Sequence, residues 1–490
     1  MIGKTRPASL RAAFWGRLDT RFLPFADAVS AELPLPRLLR LALFQMTVGM
    51  AAALTIGTLN RVMIVELHVP AGLVSTMIAI PLLLAPARAL IGFRSDTHRS
   101  VFGWRRVPYI WFGALFLFGG LATMPFSLIV LSGRGVAPPY AGEIGAAVSF
   151  LMLGAGMHTV QTAGLALATD IAPEHTRHRV VAMLSAMLIA GMIGGALAFG
   201  ALLTPFTVLK LVQVVQGAAL VTFLLNCFAL WKQEARRRLA DDEDLPASGA
   251  PFQRLGAAWA AYRAQPLAIR RLVVIGVGTL AFSMQDILLE PYGGQVLHLS
   301  VGTTTSLTAL LAAGAGLAFL LAGRRLAAGG DAWRIAAAGV MVGLVAFSLV
   351  IAAAPLATPA VFAAGVGLIG FGGGLFLIGT LADAMSRVVG GMSGLALGAW
   401  GAVQALAAGI AIALAGAIRD YAAGLAAGHA LGPAFTGSAA GYATVYHIEI
   451  ILLFATLALI GKLVRRADAP SAPLPFFARP SHGPDLGTTR

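Results

Sequence analysis

Stretches of about 20 apolar residues recur twelve times along this chain, the length of helix that a bilayer core of about 30 Å demands. They fall near residues 41–66, 70–92, 108–131, 145–169, 180–203, 209–231, 270–291, 301–323, 335–354, 360–382, 393–418 and 444–464. In hydrocarbon every backbone N–H and C=O group must be satisfied within its own segment or a closed barrel, and segments of this length point to α-helix. Composition agrees, with 58% hydrophobic residues, 11% charged residues and a mean hydropathy of +0.83. A soluble surface needs about a quarter of the chain charged. The expectation is an all-α membrane protein with twelve transmembrane helices. Its single cysteine, Cys227, lies inside an apolar stretch and can form no intramolecular disulfide.

The net charge of +14 raises nucleic acid as a partner, but position argues against it. Of the 35 Lys and Arg residues, 30 lie on the side of the membrane that holds both termini and the loops after even-numbered spans. Arg134, Lys210 and Arg419 lie on the other side, and Arg61 and Arg88 lie within spans. Such a bias is what the positive-inside rule produces, and it puts both termini in the cytoplasm. Nucleic-acid binding would instead gather basic residues and stacking aromatics on one folded face.

The chain divides into an N-terminal arm (1–37), a first six-helix bundle (38–231), a polar linker (232–269), a second six-helix bundle (270–465) and a tail (466–490). Arginines and aromatic residues alternate through the arm, which reads either as a cytoplasmic tail or as an amphipathic segment on anionic headgroups. The linker carries Arg236, Arg237 and Arg238, then Asp241, Asp242, Glu243 and Asp244. An internal repeat supports the division: Val65-Glu66-Leu67-His68-Val69-Pro70 resembles Gln295-Val296-Leu297-His298-Leu299-Ser300. Span four ends in Leu165-Ala-Leu-Ala-Thr-Asp170, span ten in Ile378-Gly-Thr-Leu-Ala-Asp383, and Trp104-Arg105 matches Trp333-Arg334. Two pseudo-symmetric six-helix bundles joined by a linker describe the major facilitator architecture.

The loop after span two fits that reading. It runs Gly92-Phe-Arg-Ser-Asp96, then Gly103-Trp-Arg105-Arg106, the order of the facilitator loop motif with its second part displaced. An acid and paired bases at helix ends can lock the two halves by ion pairs. Gly365-Val-Gly367-Leu-Ile-Gly370 satisfies the dinucleotide fingerprint, but it sits inside an apolar span with no preceding strand. There the glycines serve close helix packing or leave a groove for a flat ligand.

Three further stretches are distinctive: Thr58-Leu-Asn60-Arg61-Val-Met-Ile-Val-Glu66-Leu-His68-Val-Pro70, Trp104-Arg-Arg-Val-Pro108-Tyr-Ile-Trp111, and Ser283-Met-Gln285-Asp286-Ile-Leu-Leu-Glu290-Pro-Tyr292-Gly-Gly294. With Pro81, Pro86, Arg88 and Asp170-Ile-Ala-Pro173-Glu174, they resemble the PucC/LhaA family of purple photosynthetic bacteria, over about residues 38–465. The resemblance implies an assembly factor for light-harvesting complexes in the intracytoplasmic photosynthetic membrane, handling bacteriochlorophyll a as a transient ligand. It implies antenna polypeptides as partners, with the bacteriochlorophyll synthesis machinery and membrane lipid as further contacts. Two alternatives stay open: a proton- or ion-coupled secondary transporter, and a scaffold for antenna subunits that has lost transport.

The residues themselves suggest where such chemistry would sit. Span centres are Ala, Gly, Leu, Val and Met, with His158, Gln161 and Thr162 the main polar exceptions, which suits an apolar ligand better than a sugar or ion. A bacteriochlorophyll Mg²⁺ accepts an axial nitrogen or oxygen. His158, flanked by Gly154 and Gly156, is one candidate ligand, and Gln161, Asn60 and Gln285 are others; each can equally bond a neighbouring helix. Arg61 and Asp286 read as matching points of the repeat, and an Arg61–Asp286 ion pair across the pseudo-twofold axis is expected, with Glu290 sharing the arginine. Asp170, His175 and His178 read as a helix end rather than a metal or acid–base cluster. No catalytic constellation or phosphate-binding loop appears in the sequence, and an enzyme is not expected.

Overall fold

The computed structural model describes residues 34–83, 104, 106–133, 138, 140–173, 176–233, 259–260, 263–386, 393–428 and 439–464. Twelve helices lie among them: α1 Leu35–Glu66, α2 Ala71–Leu83, α3 Val107–Leu131, α4 Ala141–Ile171, α5 Arg177–Leu202 and α6 Val208–Leu230 form the first half. The second half holds α7 Ala268–Gln295, α8 Val301–Ala327, α9 Ala332–Ala353, α10 Pro359–Ser386, α11 Ser393–Ala427 and α12 Ala439–Ile460. Eleven are long and apolar enough to cross a membrane, and α2 is described only over its first 13 residues. No strand occurs among the described residues.

Several helix starts are set by short polar side chains that take up N–H groups left over at a helix end. Thr207 accepts from the Lys210 N–H, Ser300 from the Thr303 N–H and Asp331 from the Arg334 N–H. The internal repeat is visible in backbone geometry. After α1 the Val69 N–H reaches back to Met63 O at 2.9 Å, with His68 at φ 56°. After α7 the Leu299 N–H reaches back to Gly293 O at 2.9 Å, with His298 at φ 53°. Both are Schellman-type closures with a left-handed histidine, and both histidines are exposed.

Glycine rows set how closely the helices sit. A Cβ on Gly156 of α4 would lie 2.4 Å from the Leu117 backbone of α3, and one on Gly370 of α10 would lie 2.0 Å from Leu311 O of α8. Gly365 faces α9 and Gly367 faces α8, so all three glycines of the dinucleotide-like run serve helix packing. Outward faces carry exposed Phe112, Phe116, Phe126, Leu224 and Phe228, as a surface bathed in acyl chains requires.

The two halves meet along a seam of α1, α2 and α5 against α7, α8 and α11. At the start of α2 the Gly72 N–H donates to Asp420 Oδ2 of α11 at 2.7 Å, and Ser75 Oγ donates to Ala413 O at 3.4 Å. Gly200 of α5 and Gly302 of α8 bring those helices into backbone contact. The arm, most of the linker, the tail, Arg88, His175 and the loop-motif residues Gly92, Asp96, Gly103 and Arg105 lie outside the described residues. Arg106 is described, and its Nε lies 3.0 Å from Asp170 Oδ2 at the end of α4. That contact stays within the first half.

Candidate functional site

The most polar part of the membrane interior lies where α1 and α8 meet the break in α7. Regular helix ends at Ser283, a tight 3-10 turn spans Met284–Ile287, and helix resumes at Leu289. The break turns carbonyls away from the helical ladder, and polar side chains from the neighbouring helix take them up. Asn60 Nδ2 of α1 donates to Asp286 O at 3.1 Å and to Ile287 O at 3.4 Å. Gln285 Nε2 donates to Phe282 O at 3.2 Å and to the Asp286 carboxylate. The amide nitrogens of both candidate ligands are thus engaged by protein groups, and Asn60 Oδ1 accepts from the Arg61 N–H, while Gln285 Oε1 has no partner.

One turn further, Glu290 is 3% exposed and accepts from Thr308 Oγ1 of α8. Its carboxylate points at Gly57 of α1, where a Cβ would lie only 2.6 Å from Glu290 Oε1. Thr58 and Thr305 face each other across the same seam at 3.5 Å. Helix α1 is widened into π-type turns at Ala53–Leu59 and Val62–Glu66, flanking the residues that meet α7. Such turns are frequent where helices carry function.

Arg61 does not take Asp286 as its partner, which corrects the expected ion pair. Its Nη1 lies 2.8 Å from Glu66 Oε1, and its Nη2 donates to Leu299 O at 3.0 Å. The guanidinium lies flat against Gly294, where a Cβ would be 2.8 Å away. The reason is register. His68 and His298 are the true matching residues, and Arg61 is seven residues before the first while Asp286 is twelve before the second. At about 1.5 Å per residue, that difference sets the two side chains roughly 7 Å apart along the helix axes. Glu290 lies within electrostatic reach of Arg61, but the carboxylate in contact with the guanidinium is that of Glu66. Arg61 and Glu66 also line a cavity of about 510 Å³ with Leu203, Phe206, His298 and Ser300, so both halves contribute walls.

Sequence reasoning missed Glu449. It is fully buried on α12 with its carboxylate against the Gln285 backbone and within electrostatic reach of Asp286, and no side chain donates to either oxygen. Tyr446, one turn earlier, is also fully buried with its hydroxyl unpartnered. Around it Tyr292 packs against Tyr442 and Tyr446 with ring centroids 5.5 Å apart, and Tyr292 Oη donates to Val350 O at 3.0 Å. Tyr442 Oη donates to Gln295 Oε1 at 2.7 Å, an oxygen that Arg419 also reaches. One signal was available: an acid interrupting the apolar run of span twelve. The interior is therefore more polar than the span centres suggested.

His158 and Gln161 lie elsewhere, half-buried on α4, and both have protein partners. Two small residues near His158 are taken by neighbouring helices: a Cβ on Gly154 would lie 2.2 Å from Pro81, and one on Gly156 would lie 2.4 Å from the Leu117 backbone of α3. The room for a ring expected at these glycines is filled by α2 and α3. Among the described residues no group of three or more His, Cys, Asp or Glu could hold a metal ion.

The profile of the PUCC protein family matches residues 58–468. The chain belongs to that family. This PUCC-family protein is 54% identical over 451 residues to an uncharacterized protein in the puhA-bchM intergenic region of Rhodobacter capsulatus, covering 92% of this chain and 94% of that one. It is 54% identical over 391 residues to the protein PucC of Rhodovulum sulfidophilum, covering 79% and 86% of the two chains. Among solved structures, a bacterial homologue of the human lysosomal transporter Spinster superposes with a TM-score of 0.64 at 13% identity, covering 87% of this chain and 95% of that one. That likeness establishes the major facilitator fold for the PUCC-family chain.

Proposed function

We propose that this protein is an assembly factor for bacterial light-harvesting complexes, handling bacteriochlorophyll a for delivery to antenna polypeptides in the photosynthetic membrane. The observation that carries the reading is family membership across nearly the whole chain, with a relative named PucC at 54% identity. The position of the PUCC-family relative in a puhA-bchM intergenic region is in keeping with it. The reading does not rest on a pigment pocket. The packing at Gly154 and Gly156 leaves no space for a macrocycle at those two positions, and no ligation step is assigned to His158.

Both termini and the linker are placed in the cytoplasm, supported by the distribution of Lys and Arg. The role is non-enzymatic, and the basic loops on that side face anionic lipid or acidic partners. Purification of the full chain in mild detergent from a photosynthetically grown host tests the proposal. A bacteriochlorophyll absorption band co-eluting with antenna polypeptides supports it. Antenna polypeptides without pigment would make the protein a scaffold, and solute-dependent uptake into vesicles would make it a transporter.

A further inference from the structure

We propose that Glu449, with Asp286 beside it, forms a proton-binding site that links protonation to the packing of the two halves. The inference does not depend on pigment handling. Glu449 is fully buried with its carboxylate against the Gln285 backbone, and no side chain donates to either oxygen; Gln285 Oε1, 3% exposed, and the fully buried Tyr446 hydroxyl are also unpartnered. An uncompensated carboxylate in a dry interior costs far more than a neutral acid, and hydrocarbon on all sides makes that cost larger. A metal would need several converging oxygen ligands at fixed distance, and the ring packing of Tyr292, Tyr442 and Tyr446 leaves no such shell. A proton needs no room. Bound to Glu449, it turns one orphaned acceptor into a donor beside two other unfilled acceptors.

The link to the seam runs through the break in α7. Helix α12, carrying Glu449, packs on the Met284–Ile287 turn within electrostatic reach of Asp286, while the backbone carbonyl of Asp286 accepts from Asn60 of the other half. Removing the proton sets two carboxylates against each other at the turn that joins the halves. The charged or titratable groups facing this region are Asp286, Glu290 and Tyr292 from α7, and Tyr442 and Tyr446 from α12. Arg61 comes from α1, with Glu66 beyond it, and Arg419 with Asp420 comes from α11 near Tyr442. Helix α8 adds only the neutral Thr305 and Thr308. Arg61 is committed to Glu66 and Leu299, so it does not neutralise Glu449. The step is an O–H bond formed with a proton from bulk water and broken by its return.

The test uses the full-length protein in nanodiscs, as wild type, Glu449→Gln and Asp286→Asn, with Glu143→Gln as control. Infrared difference spectra against pH read the carbonyl stretch of a protonated carboxyl. Spin labels at Tyr140→Cys and Leu356→Cys in a Cys227→Ala background read the distance between the halves. The proposal expects a protonated-carboxyl band that Glu449→Gln removes and Glu143→Gln keeps, and an inter-label distance whose pH response Glu449→Gln abolishes. It is overturned by a wild type without such a band, by a band that survives Glu449→Gln, by a distance indifferent to pH, or by a response that follows sodium at fixed pH. Should Glu449→Gln not fold, the wild-type band and the wild-type distance decide the matter.

Discussion

Gly57 sits at a tight point of the seam. Glu290 and Thr308 occupy the space its side chain would fill, at 2.6 and 2.7 Å from a Cβ. Gly57→Val therefore overpacks the interior and is expected to destabilise by about 1–3 kcal/mol. Gly217→Val, with nothing within 4 Å, is expected to leave the unfolding midpoint in SDS titration unchanged. Arg61 and Glu66 make a second residue-scale case. Glu66→Gln leaves a nearly buried guanidinium without its carboxylate and should cost about 2 kcal/mol in the same titration. Combining it with Arg61→Gln should recover part of that loss, because the two changes share one interaction.

At the scale of elements, the span limits were legible because apolar run length is set by bilayer thickness, a quantity independent of the rest of the fold. Pairings across the seam were not. Placing Asp286 opposite Arg61 ran against the register that the repeat itself gives, in which His68 matches His298 and Arg61 falls opposite Pro291, an alignment that the left-handed turns at both histidines repeat in the backbone. Glu449 was missed because its meaning depends on which face of α12 turns inward, and the tyrosines on that face read equally well as interfacial anchors. His158 looked roomy because glycines read as empty space, whereas in packed helices they mark where another backbone already lies. Asp420 gives an element-scale prediction. Its carboxylate accepts from the first turn of α2, where the helix dipole favours negative charge, so Asp420→Asn should lower stability by about 1 kcal/mol. Asp170→Asn should cost less in the same unfolding measurement, since that side chain is 45% exposed in its pair with Arg106.

The molecule as a whole is two similar bundles held by a seam that α5 and α8 close on one flank and α2 and α11 on the other. A Cβ at Gly316 of α8 would meet Ile189 Cγ2 of α5 at 3.4 Å, with nothing nearer. Ile189 Cβ is one bond from that atom and lies beyond 4 Å, toward the upper end of the Cβ separations of about 3.5–4.5 Å that cysteine bridges tolerate, so Ile189→Cys with Gly316→Cys in a Cys227→Ser background should form a disulfide under mild oxidation. With a protease site placed in the 232–269 linker, the two halves should stay together on a non-reducing gel after cleavage and separate on reduction. The bundles are alike in plan but unequal in compliance. At corresponding points of the repeat α1 is merely slackened, at Ala53–Leu59, while α7 is interrupted outright at Met284–Ile287. A rod with one loosened coil and a rod with a joint do not bend alike under the same load. Any stroke of this protein is therefore lopsided, with the second bundle swivelling about its joint while the first serves as the post against which it turns.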